Sequence, residues 1–302
     1  MSFDPDALID RRRLKRKLRL WQIATLVAVT VTIFVSLQAS GLLFERDTVA
    51  RIRIAGLIVE DPRRDALLAE IAKDSSVRAL IVHVDSPGGT VVGGEDLYRS
   101  LLVVGEQKPV VTVMGTVAAS AAYMTAIAGE RVYAREGTIT GSIGVLFQTV
   151  DITRLLEKLG VKPESLKSGP LKAVPSPTEP LTEEARAATQ NLVLDLFDFF
   201  IDLVAERRPL DRDQVLQLAD GRVYTGRQAV ANGLVDAIGG ESAARDWLAE
   251  AKDIPRDVPT ITRKPKSERS GLSDALSSLA EKSLISNALT LDGLLSVWHP
   301  DL

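Results

Sequence analysis

The chain has 302 residues, is 45% hydrophobic and 25% charged, and contains two histidines and no cysteine. That composition supports a packed core and excludes disorder of the whole chain. A net charge of −3 gives no global reason to bind nucleic acid, and the lack of cysteine removes disulfides, thiol nucleophiles and cysteine-ligated metals.

The amino-terminal region is unlike the rest. Residues 1–19 carry seven basic side chains (Arg11, Arg12, Arg13, Lys15, Arg16, Lys17 and Arg19) against Asp4, Asp6 and Asp10. They run into "LWQIATLVAVTVTIFVSLQASGLLF", residues 20–44, which carry no charge. A run of that length exceeds the roughly 20 residues needed to cross a bilayer. It is longer than the apolar part of a cleavable signal peptide, and only Ala39-Ser40-Gly41 weakly suggests a cleavage site. We read it as a transmembrane anchor whose basic flank stays inside, placing everything from about Glu45 across the membrane.

Beyond the anchor, apolar β-branched runs alternate with amphipathic stretches. "VARIRIAGLIV" from Val49 reads as a strand and "PRRDALLAEIAKD" as a helix. "VRALIVHV" is a second strand, followed by a glycine turn and the helix "GGEDLYRSLLVV"; "KPVVTVMG" is a third strand and "AASAAYMTAIA" a third helix. This alternation predicts an α/β core around a mostly parallel sheet. "TEEARAATQNLVLDLFDFFIDLVAERR" reads as one long helix, with shorter ones in "DRDQVLQLAD" and "TGRQAVANGL". The core is expected to end near Lys252, with a polar linker after it and one or two weakly amphipathic helices over the last 30 or so residues.

Three stretches carry chemistry. "VDSPGG", residues 84–89, closes the second strand, and its glycines let backbone amides point into a cleft. Strand ends are where open α/β sheets hold their sites. Ser120 falls where a strand passes into a helix, so its hydroxyl and a neighbouring amide can serve an acyl-transfer reaction. Histidine cannot be its partner on this reading: His83 lies inside a strand and His299 near the carboxyl terminus. A lysine can take the base role where burial keeps its amine neutral. In "SLKSGPLKAVPSP", residues 165–177, Lys172 sits in a glycine- and proline-shaped segment among small and apolar neighbours.

The ordered motifs "VDSPGG", "MGTVAASAAYM", "TITGSIGV", "KSGPLKAVPSP" and "ADGRVYTGRQAVANGLVD", spanning roughly residues 50–250, resemble the signal peptide peptidase A family of membrane-anchored Ser-Lys proteases. The resemblance implies a ClpP/crotonase-like α/β core, a nucleophile at Ser120 and a general base at Lys172. It further implies a lysine-orienting serine at Ser142 and an oxyanion glycine at Gly89. The family commonly has glycine after the serine where this chain has Ala121 and Ala122; an alanine amide at Ala121 can still donate to the oxyanion.

The expected organisation is a basic cytoplasmic segment (1–19), an anchor (20–44), an α/β protease domain (45–252) and a linker with a helical tail (253–302). The expected activity is endopeptidase cleavage of remnant signal peptides and other extended apolar segments near a bacterial inner membrane. No metal or cofactor and no nucleic acid is implied; the partners that the resemblance implies are peptide substrates, the lipid bilayer and further copies of the chain, in a ring of eight. The alternatives are a crotonase-type acyl-CoA enzyme, whose fold also uses glycine amides as an oxyanion site, and a non-catalytic membrane scaffold.

Overall fold

The computed structural model describes residues 5–39, 47–265 and 295–297, with side chains for 15–33 and 47–265. Contacts divide the chain into two units, Met1–Asp47 and Thr48–Leu302.

The first unit holds helix α1, Pro5–Ala39. Its large apolar side chains, among them Leu20, Trp21 and Leu26, are exposed. Among the described residues no helix is long and apolar enough to cross a membrane. The anchor expected over 20–44 extends outside those residues.

The second unit is a mixed α/β domain. In chain order its elements begin with β1 (Thr48–Ala55), α2 (Pro62–Lys73), β2 (Val77–Ser86), β3 (Gly88–Thr90) and α3 (Val91–Gly105). They continue through β4 (Val110–Ala119), α4 (Ala121–Ala126), β5 (Arg131–Ala134), β6 (Ile139–Gly141), α5 (Thr153–Lys158) and α6 (Glu183–Arg207). The last are α7 (Arg212–Leu218), β7 (Val223–Thr225), α8 (Gly226–Ala231), β8 (Ala237–Ile238), α9 (Glu241–Lys252), β9 (Thr260–Thr262) and β10 (Leu295–Val297).

The main sheet runs β7-β6-β4-β2-β1-β9, with β5 beside the first half of β4 and β8 beside β5. All its pairs are parallel except β6–β7. Helices cover both faces, which is why β2 reads as an almost unbroken apolar run. Its residues alternate between two cores. Leu80, Val82 and Val84 join the larger one with α3, α4 and α6, whereas Ala79 and Ile81 join Val111 and Val113 against Ala244 and Leu248 of α9. The two-residue period then puts His83 and Asp85 on the α9 face and Ser86 on the other.

Two expectations change. The sheet continues past Lys252, because β9 pairs with β1 through Val49–Arg51. The described part of the tail is a strand, β10, antiparallel to β3, where a helix is expected from sequence. A helical reading over the rest of 266–302 lies outside the described residues.

Candidate active site

The ends of β2, β4 and β6 build the site. β4 runs to Ala119 rather than stopping near Gly115, and so takes in Ala118 and Ala119, which the sequence assigns to a helix. Pairing decides this: Ala118 lies beside both Ser86 of β2 and Thr140 of β6, and Ala119 beside Gly141. Tertiary register here overrides alanine's helix preference.

Ser120 follows at once. Its amide donates to Gly141 O at 2.8 Å, which extends the β4–β6 ladder by one residue. Its backbone then turns sharply, at φ 59° and ψ −124°, to start α4. That conformation is a glycine region, costly for a serine, and such strain persists where the surroundings over-determine it. Ser120 is 1% exposed, and its hydroxyl makes no capping bond to α4. Ser142, the residue after Gly141, also has positive φ, 49°, and its amide donates to Arg222 O at 2.8 Å. The register therefore places Ser120 and Ser142 side by side, each one step beyond the paired Ala119 and Gly141.

The short helix α4 is held firmly. Tyr123 is fully buried and donates to Leu234 O at 2.9 Å, and burial pushes its phenol far above the ordinary value, keeping it a neutral donor. Arg207 of α6 donates to Ile127 O and Ala128 O at 3.0 and 3.1 Å, satisfying carbonyls at the end of the helix.

The Pro-Gly-Gly turn is shaped from both sides. Gly88 N donates to Ser86 Oγ at 3.1 Å, while Ile58 N donates to Gly88 O and Thr90 N to Ile58 O. Gly89 lies so close to the Ile58 backbone that a Cβ there would stand 1.8 Å from Ile58 O. Only glycine fits. The other edge of β3 carries β10, with Ser296 opposite Gly89 and Val297 opposite Gly88. Ala121 is fully buried at the first position of α4.

Lys172 stands apart. It lies in a turn, with its amide donating to Gly169 O at 3.1 Å, and its side chain is exposed. Within one chain the buried serine and the exposed lysine occupy different environments. His83 sits away from the strand ends, its Nε2 2.9 Å from Glu241 Oε2, and Arg51 pairs with the same carboxylate at 3.0 Å. Burial pushes the Glu241 carboxyl up, but hydrogen bonds from Arg51 and His83 outweigh it and hold the group below its ordinary value. A groove of about 990 Å³ runs past this cluster along β1, lined by Arg53, Asp85 and Arg135 among others but not by Ser120 or Gly89. Its size does not make it the catalytic cleft, because the strained serine lies elsewhere. His299 is outside the described residues.

Two contributors are absent from the sequence reading. Ser86 templates the glycine turn, and Asp85 accepts from the amides of Thr116 and Val117. Both lie within "VDSPGG", so the motif was visible although their partners were not.

Comparison with known proteins fits this geometry. The family model for Peptidase family S49 matches residues 104–255. A Synechocystis sp. protein named as a protease is 38% identical over 213 residues, covering 70% of this chain and 77% of its own length. The chloroplastic serine protease SPPA of Arabidopsis thaliana is 34% identical over 269 residues, 84% of this chain but 40% of that protein. Protease 4 of Salmonella typhi is 32% identical over 241 residues, 76% of this chain and 38% of that one. Among solved structures, a mutant ClpP1 of Listeria monocytogenes is similar at a TM-score of 0.43 and 17% identity, over 67% of this chain and 96% of that one. The acyl-CoA and scaffold alternatives fall away. The chain belongs to peptidase family S49 and is a serine peptidase of the signal peptide peptidase A type.

Proposed function

We propose that this serine peptidase is a membrane-anchored endopeptidase with a Ser-Lys dyad on a ClpP/crotonase-like core. Ser120 is the nucleophile, Lys172 the general base, Ser142 the residue that orients the lysine, and the amides of Gly89 and Ala121 the oxyanion donors. The observation that carries the reading is the backbone of Ser120: buried, at φ 59°, and fixed by the β4–β6 register at the turn into α4. Ser120 Oγ attacks the scissile carbonyl carbon as its proton passes to the lysine amine. Collapse of the tetrahedral intermediate expels the peptide amine, which takes that proton. Water then attacks the acyl-enzyme by the same base, releasing the acid and restoring the serine.

Extended peptides are the proposed substrates, remnant signal peptides among them. Support comes from β3, whose edge away from Ile58 accepts an antiparallel strand, Leu295–Val297 of the chain's own tail. Recognition through main-chain pairing is tolerant of sequence and demands an extended segment.

The proposed assembly is a ring of eight protomers in which Ser120 of one chain works with Lys172 of a neighbour. A neutral lysine must be shielded from water, and in the single chain Lys172 is exposed. The segment around it exposes Leu146, Phe147, Val150, Leu159, Leu166 and Leu171, an apolar surface of the kind that marks an interface. The proposed location is a bacterial inner membrane, residues 1–19 inside and the peptidase domain outside. It rests on the basic segment followed by the uncharged 20–44 run.

A fluorophosphonate directed at active serines tests the nucleophile. Wild-type enzyme is expected to be labelled and Ser120→Ala not; labelling of Ser120→Ala at the wild-type rate would overturn the assignment. A reporter fused after Leu302 is expected to be active only on the non-cytoplasmic side, and cytoplasmic activity would reverse the proposed topology.

A further inference from the structure

Between β2 and β4 the pairing is interrupted: Val84 lies opposite Met114, but Ser86 lies opposite Ala118. Two steps on β2 therefore correspond to four on β4, and Gly115, Thr116 and Val117 bulge out of the ladder. A bulge leaves amides without ladder partners and re-aims the residues that follow it. Here those residues are Ala118, Ala119 and Ser120.

One side chain closes this bulge. Asp85 Oδ1 accepts from Thr116 N at 3.0 Å and from Val117 N at 3.2 Å. The carboxylate rests over Gly115, where a Cβ would stand 2.7 Å from Asp85 Cγ; any larger residue would displace it. At the start of the bulge Gly115 O accepts from Thr138 Oγ1 at 2.7 Å. Asp85 is also the residue before Ser86, whose hydroxyl templates Gly88. One residue thus belongs to the strand that leads into the oxyanion turn and pins the strand that leads into the nucleophile. Its only ion pair among the described residues, with Arg53 at 3.5 Å, is largely exposed.

We propose that Asp85 is a positioning residue for peptide hydrolysis: by holding the β4 bulge it sets the spacing between Ser120 and Gly89. The inference rests on the proposed roles of those two residues. The working property is the acceptor oxygen, not the negative charge. Asparagine offers the same oxygen in the same place, and alanine offers none.

The test is steady-state cleavage of a quenched fluorogenic peptide by full-length enzyme, with fluorophosphonate labelling and thermal unfolding in parallel. Asp85→Ala is expected to lower kcat about 30-fold or more with KM within about threefold, because misplacing a reacting group by about 1 Å costs rate on the order of 100-fold. Asp85→Asn is expected to stay within about threefold of wild type, the acceptor being retained. Arg53→Ala, which removes the ion pair and leaves the bulge intact, should stay within about twofold, as exposed pairs contribute little. Near-normal kcat in Asp85→Ala would overturn the proposal. So would an Asp85→Asn enzyme as slow as Asp85→Ala, or a matching loss in Arg53→Ala, since either would make charge the operative property. If Asp85→Ala does not fold, the asparagine and Arg53 variants still decide. Turnover and labelling retained by Ser120→Ala would remove the nucleophile assignment, and this inference with it; a dead Ser120→Ala beside a fast Asp85→Ala would remove only the role of Asp85.

Discussion

The strand ends around Ser120 and the loop around Lys172 are built on opposite terms. At the strand ends nearly everything is settled by backbone: register aligns Ala119 with Gly141, ladder bonds fix Ser120 and Ser142, and Ser120 is 1% exposed. The loop between β6 and α6 has one short helix, α5, with no buried residue, and Leu166 and Lys172 stand in the open. Among the described residues the proposed nucleophile is enclosed by its own fold, whereas the proposed base stands exposed. On the proposed reading, a base that must lose water takes its cover from a neighbouring copy.

The largest effects should come from the two residues that typify the regions. Ser120→Ala and Lys172→Ala should each lower kcat by about 10³-fold or more, since members of a nucleophile–base unit act together. Lys172→Arg should be equally inactive, because a guanidinium does not give up its proton. Substantial peptide turnover by Lys172→Ala would break the comparison, leaving the loop no role in chemistry.

Next is Gly89→Ala. The added Cβ would fall 1.8 Å from Ile58 O, so the β3 backbone must move, and the proposed oxyanion donor moves with it. Loss of one such donor costs about 100-fold in kcat. Wild-type kcat on the fluorogenic peptide would remove Gly89 from the site.

Smaller effects are expected from Leu166→Asp and Leu171→Asp. Unfolding free energy of the protomer should change by less than about 0.5 kcal/mol, as for surface substitutions generally. Particle mass in detergent should fall and activity with it. Unchanged mass and activity would leave the loop's apolar surface unexplained.

The smallest effect is a control on the α9 face, in the groove that neither Ser120 nor Gly89 lines. Glu241 has its carboxyl held below the ordinary value, so it adds stability above the pH at which an unfolded glutamate titrates. That contribution is lost as pH falls through the lowered folded value. Glu241→Gln should cost about 1 kcal/mol at pH 7, given the pair's partial exposure. The variant should also lose less stability than wild type between pH 7 and pH 3, measured by urea unfolding, with kcat at pH 7 unchanged.

Legibility in the sequence follows the same divide. The alternation of β1, β2 and β4 with helices is readable because strands buried on both faces form long apolar runs, whereas β3 reads only as a glycine turn. The short strands β5 to β8 are not readable, since two to four residues carry no period. Ala118 and Ala119 read as helix because alanine favours it, and only β2 and β6 on either side reveal a strand. Ser120, Ser142 and Gly89 could be picked out through motifs that resemble a family. Asp85 stood inside one of those motifs, but its partners are 31 and 32 positions away, across a bulge that no local pattern announces. Lys172 was legible as a residue type in an unusual segment; its cover in the proposed ring would come from a neighbouring copy, which one chain's pattern does not show.

The shared site is tested most directly by mixing two dead enzymes. Ser120→Ala and Lys172→Ala are co-expressed with different tags, mixed oligomers are isolated through both tags, and peptide cleavage is measured. If the dyad crosses an interface, some junctions bring an intact Ser120 to an intact Lys172, and a fraction of wild-type activity returns together with fluorophosphonate labelling of the Lys172→Ala chain. Mixed oligomers of verified composition that neither cleave nor label would contradict the shared dyad.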